Sequence, residues 1–217
     1  MKNTSELKQE ICNIGRRMYD HGLVVANDGN ISCRLEDGLF LITPTRMCKG
    51  DLTPEDIVVV DDNLNVVEGS KRPSTEMLIH LKYYELRPDI NAVVHAHAPL
   101  SMAFAVARQS ILTPAVPSIF SFVGPIPCTN YATPSTNELA DAVGEYAKDH
   151  NAMLMANHGS VTAGVDLQDA FFKTERLELL CKVTIFSRFL GGEVNFSDED
   201  IRKLDEKLER QRRDGLA

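Results

Sequence analysis

The chain has 217 residues, of which 43% are hydrophobic and 25% charged, a composition typical of globular proteins. Its formal net charge of −8 argues against a general nucleic-acid-binding protein, which needs a basic surface to displace counterions. No apolar run is long enough to span a membrane, and the N-terminus lacks the apolar segment of a secretion signal. With no repeat or linker in the sequence, we expect one cytoplasmic domain over residues 1–217.

The cysteines support the expectation of a reduced compartment. They are odd in number, scattered along the chain, and none forms a Cys-x-x-Cys pair. This pattern argues against both a disulfide framework and a cysteine zinc site. The five are Cys12, Cys33, Cys48, Cys128 and Cys181.

The N-terminal half predicts a helix, short strands and a second helix. Apolar residues at helical spacing predict the first helix over residues 4–22. Short apolar runs between polar turns predict strands at 31–35, 39–44, 57–60 and 66–67. The second helix is expected over 75–86, with Ser74 or Thr75 as N-cap and Glu76 in its first turn, where the helix dipole favours the charged carboxylate.

The C-terminal half predicts an alternation of strands and helices. A strand at His95 is followed by these expected segments: a helix at 99–108, strands and turns at 111–127, a helix at 137–149, strands at 152–156 and 160–165, a helix at 166–190, and a last helix from 197 to near Gly215. Hairpin-like turns favour antiparallel or mixed pairing, so we expect an α/β sandwich. No glycine-rich nucleotide-binding loop is present.

Two histidines in the apolar run 92–99 indicate a metal site. Because side chains alternate along a strand, His95 and His97 are expected on one face. His158, in the turn Asn157-His158-Gly159, is a candidate third ligand, and three protein ligands leave a position open, as in catalytic zinc sites. From spacing alone, an ordinary histidine pair and a plain capping role for Glu76 remain open alternatives.

Other histidines and polar loops are less specific. His21, His80 and His150 are interpreted as ordinary surface or core residues. The turn at 26–32 could cradle an anion through its backbone N–H groups, or could be a plain hairpin turn. A second polar loop at 43–50 contains hydroxyls and two cations.

Ordered motifs run along nearly the whole chain, namely Gly29-Asn30-Ile31-Ser32, Leu41-Ile42-Thr43-Pro44-Thr45, Pro73-Ser74-Thr75-Glu76, Asn91-Ala92-Val93-Val94-His95-Ala96-His97, Pro127-Cys128 with Tyr131-Ala132-Thr133, and Asn157-His158-Gly159. Together they are similar to the motifs of the class II aldolase/adducin family, particularly its sugar-phosphate aldolases of the L-fuculose-1-phosphate type. The resemblance implies a three-layer αβα sandwich around a largely antiparallel sheet. It also implies a homotetramer with active sites at subunit interfaces.

The resemblance assigns roles to individual residues. It implies zinc ligands at His95, His97 and His158. It implies that Glu76 binds the resting metal and acts as general acid and base when substrate displaces it. It implies a phosphate-binding set at Asn30, Thr45, Ser74 and Thr75. Three imidazoles would also accept manganese, cobalt or iron.

The reaction implied is cleavage of a short ketose 1-phosphate to dihydroxyacetone phosphate and an aldehyde, without a lysine Schiff base. The family also contains pentulose-phosphate 4-epimerases, sugar-acid-phosphate decarboxylases, a methylthioribulose-phosphate dehydratase and the non-catalytic adducin branch. These alternatives remain open at this point.

Two departures from the aldolase pattern bear on the substrate. Arg46 stands where members of the fuculose-phosphate type have glycine, and we expect its guanidinium to contact phosphate or carboxylate, the alternative being a solvated loop arginine. Tyrosines that assist proton transfer and aldehyde placement in the aldolase are absent from residues 116–120 and from the tail after Leu204.

Overall fold

The computed structural model describes residues 2–112 and 115–213, without the side chains of residues 211 and 212. Its strands in chain order are β1 (Asn30–Arg34), β2 (Phe40–Ile42), β3 (Val58–Val60), β4 (Val66–Glu68), β5 (Ala92–Ala96), β6 (Ala152–Met155) and β7 (Gly159–Gly164). They form one sheet in the order β4-β3-β2-β1-β5-β7-β6, and every neighbouring pair is antiparallel.

Helices cover both faces of this sheet. In chain order they are α1 (Thr4–Asp20), α2 (Met77–Leu86), α3 (Pro99–Val106), α4 (Pro117–Phe122), α5 (Asn137–Ala147), α6 (Leu167–Phe189) and α7 (Asp198–Arg213). The first helix begins where predicted because Asn3 and Glu6 form a capping box, each side chain accepting from the other residue's backbone N–H.

The alternation of side chains along β5 divides the core into two layers. Val94 packs in a cluster with Ile14 of α1 and Phe171 of α6, whereas Val93 packs in a second cluster with Tyr83 of α2. Because side chains on both faces of β5 are buried, the sequence of this strand is continuously apolar up to His95. The predicted three-layer αβα sandwich with an antiparallel sheet is confirmed. By the same alternation, His95 falls on the α2 face of the sheet.

Residues 111–127 differ from the prediction of strands and turns alone. A helix, α4, occupies Pro117–Phe122 and has Pro117 in its first turn, where proline needs no backbone N–H. The prediction was wrong because the several prolines of this segment were read as excluding a helix. Ile111 and Ile126 form an isolated antiparallel bridge. Residues 113 and 114, and Gly215 at the expected end of the last helix, lie outside the described residues.

Two expectations from composition can be compared with the structure. All five cysteines are free thiols in the structure. Across residues 2–112 and 115–213, no helix combines the length and apolar character that crossing a lipid bilayer requires.

Candidate metal centre and anion pocket

Three histidines meet at one end of the sheet although they come from separate parts of the chain. His95 is in β5 and fully buried, and His97 is the first residue after that strand. His158 lies in the turn that joins β6 to β7, and β7 pairs with β5 so that Ser160 is opposite Ala96. Antiparallel pairing therefore brings this turn beside the histidine pair.

The three imidazoles converge closely enough to share one ion. One ring nitrogen from each of His95, His97 and His158 lies within 4.8 Å of the others. The Nε2 atoms of His95 and His97 are 3.0 Å apart. Their Nδ1 atoms point away from each other, His95 Nδ1 to the Ser160 carbonyl oxygen at 2.8 Å and His97 Nδ1 to Asp28 Oδ2 at 3.2 Å.

These outer contacts determine where the ring protons reside. A carbonyl oxygen and a carboxylate only accept hydrogen bonds, so Nδ1 carries the proton in both His95 and His97. In a neutral imidazole, Nε2 then presents a lone pair. Two neutral rings would bring these lone pairs to within 3.0 Å of each other, where they repel, so the site favours a positive charge at its centre, either a proton on His95 Nε2 or a metal cation. Burial lowers the pKa of His95, but the charge of Glu76 outweighs burial and raises it above its ordinary value. The nitrogen donors fit a divalent transition metal better than calcium or magnesium.

Burial keeps His97 in the form that binds metal. Burial, followed by the positive charges of His95 and His158, lowers the pKa of His97 to about 4, against the opposing effect of Asp28. The ring is therefore neutral near pH 7. The Nδ1 atom of His158 is buried and has no hydrogen-bond partner among the described residues.

Glu76 faces the same convergence point. Its Oε2 is 3.3 Å from His95 Nε2, and its Oε1 is 3.0 Å from His158 Nε2. Burial raises the pKa of Glu76, but the positive charge of His95 and hydrogen bonds to His158 and His95 outweigh burial and hold the pKa well below its ordinary value. A metal cation at this point would favour the carboxylate in the same way.

The position of Glu76 in its helix differs from the prediction. Helix α2 begins at Met77, so Glu76 is the N-cap residue and not part of the first turn. Neither Ser74 nor Thr75 is the N-cap, although Ser74 Oγ accepts a hydrogen bond from the Glu76 backbone N–H at 3.3 Å. Because its side chain is turned towards the histidines, Glu76 makes no capping hydrogen bond to the helix backbone.

An open polar pocket of about 130 Å³ adjoins the histidines. Glu76 and His97 contribute to its wall. So do all four residues expected at a phosphate, which are Asn30, Thr45, Ser74 and Thr75. The side-chain nitrogen of Asn30 is also 2.9 Å from Glu76 Oε2, so one of its hydrogens is engaged there.

Arg46 lies at the same pocket and is exposed. Its φ of +59° places it in the left-handed region, where a side chain costs roughly 1 kcal/mol relative to glycine. The backbone therefore keeps the conformation that glycine adopts easily, while the side chain adds a guanidinium at the rim.

Two further residues, one lining this pocket and one in contact with a lining residue, were not identified from the sequence as site residues. Lys49 is 1% exposed, and its ammonium donates to the carbonyl oxygens of Asn27 at 3.0 Å and Met47 at 2.7 Å, which ties the two polar loops together. Burial lowers the pKa of Lys49 to about 8. The hydroxyl of Ser135 is 2.8 Å from that of Thr75, a long-range contact that no sequence pattern indicated.

Two glycines permit the close approach of these loops. A Cβ on Gly159 would lie 2.5 Å from the Ala96 carbonyl oxygen and 2.9 Å from the ring of His97. Gly29 has a φ of +72°, and a Cβ there would lie 2.7 Å from the His95 carbonyl oxygen. A larger residue at Gly159 would displace the Ala96 carbonyl and the His97 ring, and one at Gly29 would displace the His95 carbonyl.

Comparisons with known proteins agree with this geometry. The family model described as "Class II Aldolase and Adducin N-terminal domain" matches residues 9–185. The chain is 34% identical over 204 residues to 5-deoxy-D-ribulose 1-phosphate aldolase of Bacillus thuringiensis serovar kurstaki, covering 93% of this chain and 95% of that protein. It is 33% identical over 186 residues to 3-oxo-tetronate 4-phosphate decarboxylase of Escherichia coli K12, covering 84% and 87%.

Among solved structures, an L-fuculose 1-phosphate aldolase is similar with a TM-score of 0.88 and 32% identity. The similarity covers 96% of this chain and 98% of that one. The predictions of the family, the fold and an enzyme are confirmed by these comparisons. The chain belongs to the class II aldolase and adducin family.

Proposed function

We propose that the protein is a zinc-dependent aldolase that reversibly cleaves a short ketose 1-phosphate to dihydroxyacetone phosphate and an aldehyde. The observation that carries the proposal is the adjacency of the histidine cluster and the polar pocket, since Glu76 and His97 belong to both. One substrate can then reach both sites, with its phosphate in the pocket and its carbonyl end at the histidines. The relatives named as sugar-phosphate aldolases support the same reaction.

His95, His97 and His158 are proposed to hold the metal, with Glu76 as a fourth ligand at rest. Zinc fits these donors, and manganese, cobalt or iron would also be accepted. When bound, the metal supplies a Lewis acid for negative charge that develops on a substrate oxygen. Asp28 fixes the orientation of the His97 ring, because its carboxylate accepts a hydrogen bond from Nδ1–H and so leaves Nε2 available to the metal.

Glu76 is proposed as the general acid and base. The carboxylate is ionised at neutral pH, which is the form that a general base must have to accept a proton from the substrate. In the synthesis direction, this proton comes from the hydroxymethyl carbon of dihydroxyacetone phosphate. In cleavage, Glu76 returns a proton to the same carbon. Its placement between His95 and His158 keeps the proton transfer beside the substrate oxygens.

The pocket is proposed to bind the phosphate. Hydroxyls of Thr45, Ser74 and Thr75 and the amide of Asn30 offer neutral donors, and the buried ammonium of Lys49 adds positive charge beneath them. A few local donors of this kind explain how a chain of net charge −8 can bind an anionic substrate. The guanidinium of Arg46 is proposed to contact the phosphate or a carboxylate from the rim.

We propose that each chain forms one domain over residues 1–217 and that the protein is located in the cytoplasm. We also propose a homotetramer with active sites at subunit interfaces. The assembly is supported, within the described residues, by a row of exposed apolar side chains along α6, which a neighbouring subunit could cover. They include Phe172, Leu179, Val183, Phe186 and Phe189.

A second candidate function is decarboxylation of a sugar-acid phosphate. Arg46 favours it, because a guanidinium matches a carboxylate and stands where aldolases of the fuculose-phosphate type have glycine. The relative named as a 3-oxo-tetronate 4-phosphate decarboxylase covers 84% of the chain.

Replacing Asp28 with alanine should weaken zinc binding by about 10- to 100-fold, because His97 loses the group that fixes its ring and its tautomer. The measurement is competition with a chromogenic chelator, and the matched control is Asp20→Ala, which removes an exposed carboxylate at the end of α1. Equal zinc affinity in the Asp28 variant and the wild type would show that Asp28 does not support the site.

A panel of ketose 1-phosphates should yield dihydroxyacetone phosphate with at least one substrate. EDTA should abolish product formation, and Glu76→Gln should reduce kcat by about 10²- to 10⁴-fold through loss of the general base. Glu145→Gln, on the exposed side of α5, is the control and should retain full activity. Release of carbon dioxide from a sugar-acid phosphate, or formation of a C4 epimer, would contradict the aldolase proposal and indicate a decarboxylase or an epimerase. A chain unable to take up any divalent metal would favour the adducin alternative.

Replacing Arg46 with glycine should raise KM for the phosphorylated substrate by about 10- to 100-fold, the effect of losing a charged hydrogen bond. Thermal stability should not fall, because glycine adopts a φ of +59° without strain. Arg46→Lys keeps the charge without the planar fork and should give an intermediate KM. Unchanged affinity of the glycine variant for every phosphorylated substrate would leave Arg46 as a solvated loop residue.

A further inference from the structure

A line of buried polar groups runs from Glu76 into the core between the sheet and α2. Asn30 Nδ2 is 2.9 Å from Glu76 Oε2, and Asn30 Oδ1 is 2.6 Å from His80 Nε2. His80 Nδ1 is 2.7 Å from Ser32 Oγ, which is 2.7 Å from the Tyr84 hydroxyl. His80 and Ser32 are fully buried, and Asn30 and Tyr84 are nearly so. We call these four residues the buried relay.

The hydrogen bonds of the buried relay can point in only one direction. The Glu76 carboxylate only accepts, so Asn30 turns its NH₂ group to Glu76 and its oxygen to His80. His80 Nε2 must therefore carry a proton. Burial, followed by the positive charge of His95, lowers the pKa of His80 to about 3, so the ring is neutral.

A neutral ring with its proton on Nε2 leaves an acceptor at Nδ1. Ser32 therefore donates to His80, and Tyr84 in turn donates to Ser32. Every group along the line has its partner, so none is free to rotate without leaving a buried polar atom unsatisfied, which costs about 1–3 kcal/mol. The orientation of the Asn30 amide is thus fixed from the core.

The fixed amide bears directly on Glu76. His95 Nε2 is 3.3 Å from the same carboxylate oxygen, but with a metal held by His95 this nitrogen would have no proton to donate to Glu76. Asn30 is then the neutral donor that holds Oε2. If His80 did not donate a hydrogen bond to Asn30 Oδ1, the amide could rotate by 180° about its last side-chain bond. Its oxygen, which cannot donate a hydrogen bond, would then face the Glu76 carboxylate.

We propose that His80 is a positioning residue for Glu76, acting through Asn30 to hold the carboxylate in one orientation beside the three metal-site histidines. This inference rests on the proposed role of Glu76 as general acid and base. It assigns a function to a histidine that the sequence placed among ordinary surface and core residues.

Replacing His80 with glutamine or with asparagine distinguishes a role in positioning Glu76 from a role in packing alone. Glutamine extends far enough to place an amide N–H where Nε2–H was, whereas asparagine reaches only the position of Nδ1. We expect H80N to lower kcat by about 10- to 100-fold with KM and zinc content unchanged, and H80Q to restore kcat to within about threefold of wild type. Tyr83→Phe removes a neighbouring buried hydroxyl of α2 outside the buried relay and should leave kcat unchanged.

The contradicting outcomes are distinct. Full kcat in H80N, or equal kcat losses in H80N and H80Q, would overturn the positioning role. All rates are measured on the reaction that the wild-type protein catalyses, so a wild type without aldolase activity contradicts the proposed function and not this role. Should the variants not fold, the ¹⁵N chemical shifts of the wild-type His80 ring still decide. A neutral ring with the proton on Nε2 is expected, and a proton on Nδ1 or a charged ring near pH 7 would overturn the inference.

Discussion

The repulsion between two imidazole lone pairs is the constraint on which the rest of the site depends. The Ser160 carbonyl oxygen and the Asp28 carboxylate each accept a hydrogen bond from the outer nitrogen of a histidine, and the inner nitrogens of His95 and His97 face each other at 3.0 Å. Glu76 adds a carboxylate to the same point. An arrangement of acceptors this dense costs free energy unless a cation occupies its centre, and that cost favours metal binding.

The sheet supplies this arrangement through its register. Pairing of β5 with both β1 and β7 brings Asn30, His95 and the turn of His158 to one end, and Gly29 and Gly159 allow the backbones to come close. The polar pocket beside the histidines is formed by loops at the same end of the sheet. The ends of β5, β6 and β7 therefore position the three histidines, whereas the pocket lies on loops, which are generally the elements that vary most between related proteins.

The sequence predicted those features that depend on local pattern. The first helix, the strands and the placement of His95 and His97 on one side followed from period and spacing. The proposed role of Glu76 and the proposed phosphate-binding set rest on the family resemblance. The helix at Pro117 and the true start of α2 were missed, because proline and serine are compatible with either side of a helix boundary. The partners of His80, and the Asn27 partner of Lys49, lie 22 to 50 positions away in the chain, and no local pattern encodes such contacts.

The central claim is that Glu76 moves a proton at the carbon next to the carbonyl of dihydroxyacetone phosphate bound between the metal centre and the anion pocket. Proton NMR of dihydroxyacetone phosphate in D₂O, with zinc-loaded protein and no aldehyde, tests it most directly. The account predicts that one hydrogen of the hydroxymethyl carbon is replaced by deuterium, and that the exchange is lost in Glu76→Gln and after zinc removal. Absence of exchange by zinc-loaded wild-type protein that binds dihydroxyacetone phosphate would contradict the account.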